Sequence, residues 1–244
     1  MNIRLISIII ITSIIFSGTV YGAEEYGIPH PDLINNPEFV WEILDSPNTP
    51  FDLFWTGTTA WYAETSSTMT FKVNQIAQDV QGRFTLGNIS VVANDTDIAK
   101  EFVLGVWGLT SFLPGLIIEV DETSLSELNT TAYASAERVA GNYLNGTMTS
   151  SYETLVINGQ TYECITFSYI QDETSFGTPQ ETKLSYDLDT GVIVYAKTSY
   201  SFGIPFVLEF EIRSITTANV MLILGISTGA VILLIGIVTI FRRK

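Results

Sequence analysis

One cysteine and one histidine are all that the 244 residues contain. Cys164 alone rules out an intrachain disulfide, so the fold must stand on its core. A thiol nucleophile would need an imidazole beside it. His30, in a Pro-rich N-terminal stretch, is far from Cys164 in sequence, and Cys164 sits in the strand-like run Tyr162 to Tyr169, where a small buried apolar role is expected. Cations are scarce too, with 11 Lys and Arg against 26 Asp and Glu. Between the end of the apolar N-terminal segment and residue 218 lie all the acidic residues but only seven basic ones, a formal charge of −19. Nucleic-acid binding rests on Lys and Arg neutralising phosphates, so such a surface excludes that partner. The acids are spread out, and general surface acidity is the plainer reading of them.

Catalytic and cofactor signatures are also missing. There is no Gly-rich phosphate loop, no Gly-x-Ser-x-Gly elbow and no His cluster. Three acidic pairs occur: Asp95 with Asp97, Asp121 with Glu122, and Asp187 with Asp189. Calcium asks for six or more oxygens from a defined loop, and the twelve-residue pattern is absent. Helix capping accounts for Asp95 and Asp97, and a hairpin turn for Asp187 and Asp189. No catalytic residue, metal ligand or cofactor is assigned from the sequence. A pair of distant carboxylates could cleave a glycoside, but nothing selects such a pair, so an extracytoplasmic hydrolase is the weakest of the functional readings.

What is present begins with Arg4, then the apolar run Leu5 to Phe16, then small and polar residues to Gly22. These are the parts of a secretory signal, with cleavage expected after Gly22; an uncleaved anchor is the alternative. No charge occurs between Arg213 and Arg242, and Val220 to Phe241 is almost wholly apolar. As a helix that run would rise about 33 Å, matching a hydrocarbon core of about 30 Å. Arg242, Arg243 and Lys244 follow at once, and cations flanking a span favour the cytoplasmic side. The expected organisation is a signal peptide (1–22), a Pro-rich lead-in (23–50), an ectodomain (51–215), a transmembrane helix (219–241) and a basic tail (242–244). The chain is therefore expected in the cell membrane, single-pass, with its N-terminal domain extracytoplasmic. Within the span, Gly225, Gly229 and Gly236 share a face and could bring two helices together as a homodimer.

The ectodomain reads as α+β: a large curved antiparallel sheet with a C-terminal meander and one or two helices on one face. Phe39 to Leu44 could form a short helix after Pro37. Strand-like runs follow at Leu53 to Ala63, Thr70 to Gln78 and Arg83 to Val92. Asp95 or Thr96 can cap a helix through Gly108, and Ser124 with Glu127 forms a capping box for a helix to about Ala140. Leu116 to Val120 reads as a short strand. The meander is the clearest part. Asn158-Gly159 suits a type I′ hairpin between Tyr152 to Ile157 and Gln160 to Ile170. A second hairpin turns at Asp189-Thr-Gly191, and Val207 to Ile215 alternates wet and dry. The Asn158-Gly159 hairpin is apolar on both sides, so the sheet must be covered or curled.

Gly87-Asn-Ile-Ser, Asn94-Asp-Thr-Asp-Ile-Ala99, Phe112-Leu-Pro-Gly115 and Tyr186-Asp-Leu-Asp-Thr-Gly191 carry a resemblance to uncharacterised archaeal cell-surface single-pass membrane proteins. It covers most of the ectodomain and implies no known activity. More distantly, a curled sheet lined by helices is similar in fold to the half-barrel lipoprotein carriers, an analogy that does not reach function.

Four sequons mark Asn88, Asn94, Asn129 and Asn145 as glycosylation candidates. Trp107, Phe112 and Leu113 lie in the charge-free stretch Phe102 to Ile118 and either close the core or line a groove under a flap. The functional expectation is a membrane-anchored surface binding module, not an enzyme, meeting another protein or a glycan and touching lipid through its C-terminal helix. The alternative is a module holding an apolar, lipid-like ligand between sheet and helices.

Overall fold

The structure, a computed structural model, describes residues 33, 36–46, 51–53, 58–61, 64–76, 79–87, 89–102, 114–141, 145–173, 179, 181–202 and 204–216. Among the described residues no helix is long and apolar enough to cross a membrane, and the expected signal (1–22) and span (219–241) lie outside them.

The chain runs β1 (Glu38–Asp45), β2 (Phe51–Leu53), β3 (Thr58–Trp61), β4 (Thr68–Ile76), β5 (Val80–Leu86), β6 (Ile89–Asn94), α1 (Asp95–Phe102), α2 (Glu122–Val139), β7 (Gly146–Ile157), β8 (Gln160–Gln171), β9 (Glu181–Asp187), β10 (Ile193–Phe202) and β11 (Ile204–Thr216). Nine strands form one antiparallel sheet in the order β6-β5-β4-β1-β11-β10-β9-β8-β7, and β2 and β3 pair separately. Two meanders, β4 to β6 and β7 to β11, therefore meet at β1, and the helices carry the chain from one edge to the other. The α+β class is as the sequence suggests.

Strand β1 replaces the short helix expected over Phe39 to Leu44. Phe39, Trp41 and Ile43 are fully buried while Glu38, Val40, Glu42 and Leu44 are partly exposed, a period of two that only a strand produces. Trp41 packs edge-on against Phe210 at 6.2 Å and donates its Nε1 hydrogen to Ile193 O at 2.7 Å, locking β1 to the start of β10. The expected run Arg83 to Val92 is two strands, broken at Gly87, whose φ of 55° is left-handed. Leu116 to Val120 makes only one bridge, Ile117 to Val192, instead of a strand.

One sheet face is the core. Met69, Phe71 and Phe84 on one side of β1, and Leu184, Tyr186, Ile165 and Phe167 on the other, are all buried there. Segment 114–118 lies in this core. Leu116 and Ile117 are buried, and Tyr186 donates its hydroxyl to Gly115 O at 3.0 Å. The opposite face carries Glu42, Glu209, Glu211, Lys197, Lys183 and Glu153. At one end the sheet bends on itself. Asn158 and Gly159 have φ of 52° and 80°, the type I′ signature, and Asn158 Nδ2 donates to Ile212 O of β11 at 3.2 Å.

Candidate functional site

The α2–β7 corner holds a cleft that opens to solvent. Helix α2 starts at Asp121, whose Oδ1 accepts from Thr123 N at 3.0 Å and Ser124 N at 3.1 Å. Asp121, rather than Ser124, is thus the N-cap. Ser124 instead donates to Glu119 Oε2 at 2.6 Å, which dissolves the expected capping box. The helix is rich in Ser and Thr, and Thr130, Thr131 and Ser135 hydroxyls each bond the carbonyl four residues back. Few of its side chains reach the core: Ala132 and Ser135 are buried, and Leu125, Leu128 and Ala136 are half-buried.

Two polar contacts fasten α2 to the edge strand. Ser150 N donates to Tyr133 Oη at 3.2 Å, and Ser150 Oγ donates to Asn129 Oδ1 at 2.6 Å. N-terminal to that clamp, helix and sheet part around a cleft of about 520 Å³. Val120, Leu125, Ile165, Leu188 and Tyr152 supply apolar walls, and Glu122, Ser126, Asn129, Ser150 and Ser151 a polar rim. Tyr152 is 70% exposed, an unusual position for a large aromatic on the core-side face of a strand. Mixed walls and an open mouth suit surface recognition by an amphipathic group.

On the other face a half-buried polar cluster ties the same strands together. Glu153 Oε1 accepts from Thr166 Oγ1 at 2.6 Å and from Lys183 Nζ at 3.0 Å. Burial opposes ionisation of Glu153, but the hydrogen bonds from Thr166 and Lys183 win and hold its carboxyl below its ordinary value. Cys164 beside it is buried, and burial followed by the charges of Asp187 and Glu153 pushes its thiol up to about 12. A thiol so held is a packing group. Burial, then the hydrogen bond to Glu209 at 2.8 Å, raises Tyr195.

Each acidic pair has at least one carboxylate taken up by the fold. Asp187 Oδ2 accepts from Thr190 N and Thr190 Oγ1 inside the β9–β10 turn. Asn94 Oδ1 accepts from Asp97 N at 2.6 Å, making Asn94 the cap of α1 in place of Asp95 or Thr96. Asp95 is instead buried against segment 114–117, where its Oδ2 accepts from Ile117 N at 3.1 Å. Burial pushes Asp95 up to about 7, against the pull of that backbone hydrogen bond. Among the described residues no cluster of three His, Cys, Asp or Glu side chains could hold a metal.

Of the sequons, Asn94 also donates its Nδ2 to Asp97 Oδ2 at 3.0 Å. Asn145 accepts from Gly141 N at 3.1 Å and donates to the Asp172 carboxylate. Asn129 lines the cleft. The structure thus brings one of the four candidates to the site, places two at other turns and caps, and leaves Asn88 outside the described residues. Trp107, Phe112, Leu113, Gly225, Gly229 and Gly236 also lie outside them. Sequence reasoning did not mark Tyr152, Leu125 or Leu188 for a site. The available signal was Tyr152 itself, an aromatic following the polar run Thr147 to Ser151, broken only by Met148. No protein-family model and no curated protein matches this chain.

Proposed function

We propose that the chain is a membrane-anchored cell-surface binding module and that the α2–β7 cleft is where it meets its partner. One observation carries this reading: a mixed-polarity cleft, open to solvent, with Tyr152 standing exposed at its wall. Aromatic side chains that bury little at rest and can bury much on contact are the usual anchors of recognition surfaces. The extracytoplasmic placement rests on the signal-like start and the basic-flanked apolar run. The rival reading, a lipid-like ligand held inside a curled sheet, finds less support. Leu116 and Ile117 fill the core face beside Tyr186, and the cleft that remains has a polar rim and an open mouth. The carboxylates of Asp97, Asp121 and Asp187 are held at caps and turns, so the reading gives them structural roles.

The reading sets two earlier expectations against each other. A glycan on Asn129 would stand in the mouth of the cleft, so we infer that Asn129 is left unmodified where the cleft is in use, whereas Asn94 and Asn145 carry no such conflict.

Indole, a small amphipathic probe, tests the cleft. Added to the full chain in detergent, it should shift the methyl resonances of Leu125, Ile165 and Leu188, and Leu125→Arg should abolish the shifts. Unchanged methyl resonances at all three positions would remove the cleft as the binding site.

A further inference from the structure

Strand β7 is the last strand of the sheet, twelve residues long, and it pairs with β8 through an unbroken register from Gly146 to Ile157. Because Ser150 N points outward to Tyr133, the even-numbered residues of β7 turn their N–H and C=O away from β8. The hairpin agrees: Ile157 and Gln160 close a two-residue turn as a bonded pair, which leaves the odd positions facing β8. Tyr133 covers the edge at Ser150. Beyond it, the backbone groups of Tyr152, Thr154 and Val156 have no partner strand among the described residues, and Tyr152 and Val156 are each 70% exposed. This stretch has no Pro, no Lys and no bulge, and its one charge, Glu153, faces away from the cleft and is paired with Lys183.

The cleft begins where this edge begins, since Tyr152 belongs to both. A segment added along the edge would send alternate side chains toward the cleft face, one of them between Leu125, Leu188 and Tyr152. On the cleft face the charge named here has one sign. The cleft carries Glu122 and no basic side chain, and Glu163 stands directly across from Thr154 on the same face, accepting its hydroxyl hydrogen at 2.9 Å. A second copy of β7 is poorly suited, because its only charged residue is Glu153.

Resting on the cleft reading above, we infer that β7 recruits an extended peptide segment of another protein as an added strand over 152–156, and that the segment carries an apolar residue two positions from a Lys or Arg. Main-chain bonds to Tyr152, Thr154 and Val156 hold it, the cleft takes the apolar residue, and Glu163 takes the cation across the short Thr154 side chain.

The test uses the full chain in detergent and a fluorescein-labelled heptapeptide in which Leu, Lys and Leu alternate with Thr. Saturable binding is expected, at least tenfold weaker with Glu in place of Lys, and lost when alternate backbone nitrogens are methylated. Thr154→Pro should weaken binding at least tenfold with an unchanged melting temperature, because the N–H it removes points to solvent. If that variant does not fold, Val156→Lys, which keeps the backbone and repels the cation, should weaken binding in the same way. Binding that survives methylation, or survives in both variants, overturns the inference. Absence of saturable binding also overturns it; the indole shifts then decide whether the cleft reading survives alone or falls with it. Concentration-dependent protection of the 152, 154 and 156 amides without peptide would assign the edge to a second copy instead.

Discussion

The two helices lie near opposite edges of the same sheet and treat their surroundings differently. Helix α1, with eight residues, follows β6 directly and buries Asp95, Ile98 and Ala99 almost completely. Helix α2, more than twice as long, fully buries only Ala132 and Ser135 among its described side chains, and stands off β7 to leave a cleft. Length is therefore no guide to how much a helix stabilises; what it covers decides that. The α1 side, together with segment 114–118, closes the core. The α2 side gives up burial and keeps surface available.

The largest expected effect lies where the closed side is tightest. Gly191 has φ of 72°, and a Cβ there would stand 2.1 Å from Ile118 O, which belongs to the docked segment. Left-handed strain alone costs about 1–2 kcal/mol, and the collision adds to it. Gly191→Ala should lower the unfolding free energy by more than that strain alone and by more than the truncations below, a result read from urea unfolding curves. Next in size is a matched pair. Ile98→Ala empties a fully buried site and should cost about 2–5 kcal/mol, whereas Leu125→Ala, at the half-buried cleft wall, should cost less than about 1.5 kcal/mol. Equal losses would erase the contrast between the two sides.

A smaller effect follows from Asp95. Burial raises its carboxyl from 3.8 to about 7, so the folded chain keeps a proton that the unfolded chain releases above about pH 4. Folding therefore takes up a proton across that window, and stability falls as pH rises from about 4 to 7, by at most about 1.4 kcal/mol per pH unit from this group. Asp95→Asn should flatten that fall in unfolding curves taken between pH 4 and 7. A slope that is unchanged in the variant would mean Asp95 ionises freely and the closed side is wetter than its burial implies.

How far the residues announced these features depended on how local the cause was. The β7–β8 and β9–β10 hairpins were legible because Asn158-Gly159 and Gly191 need positive φ, a demand that two or three residues express by themselves. Strand β1 was not, because Pro37 before a short apolar run reads equally as a helix start. The residues it pairs with on β4 and β11 lie 26 to 178 positions away, and only they make it a strand. Both helix caps were misplaced by one to three residues for a related reason. More than one capping side chain lies at each start, and the choice among them is set by which is drawn elsewhere: Asp95 into the core, Ser124 to Glu119. The cleft was the least legible feature. It is made by the absence of packing between α2 and β7, and no residue type encodes a gap. Asn129 was singled out for its sequon alone, and its place at the cleft came from the register of α2 against Ser150.

Backbone hydrogen exchange on the full chain, with and without the Lys-bearing heptapeptide, tests the open side most directly. The account predicts that the amides of Tyr152, Thr154 and Val156 exchange rapidly in the free chain although they belong to a strand, and slow at least tenfold on peptide addition, while those of α1 and β5 do not change. Slow exchange at the three positions in the free chain, or peptide protection that appears around α1 and segment 114–118 instead, would contradict it.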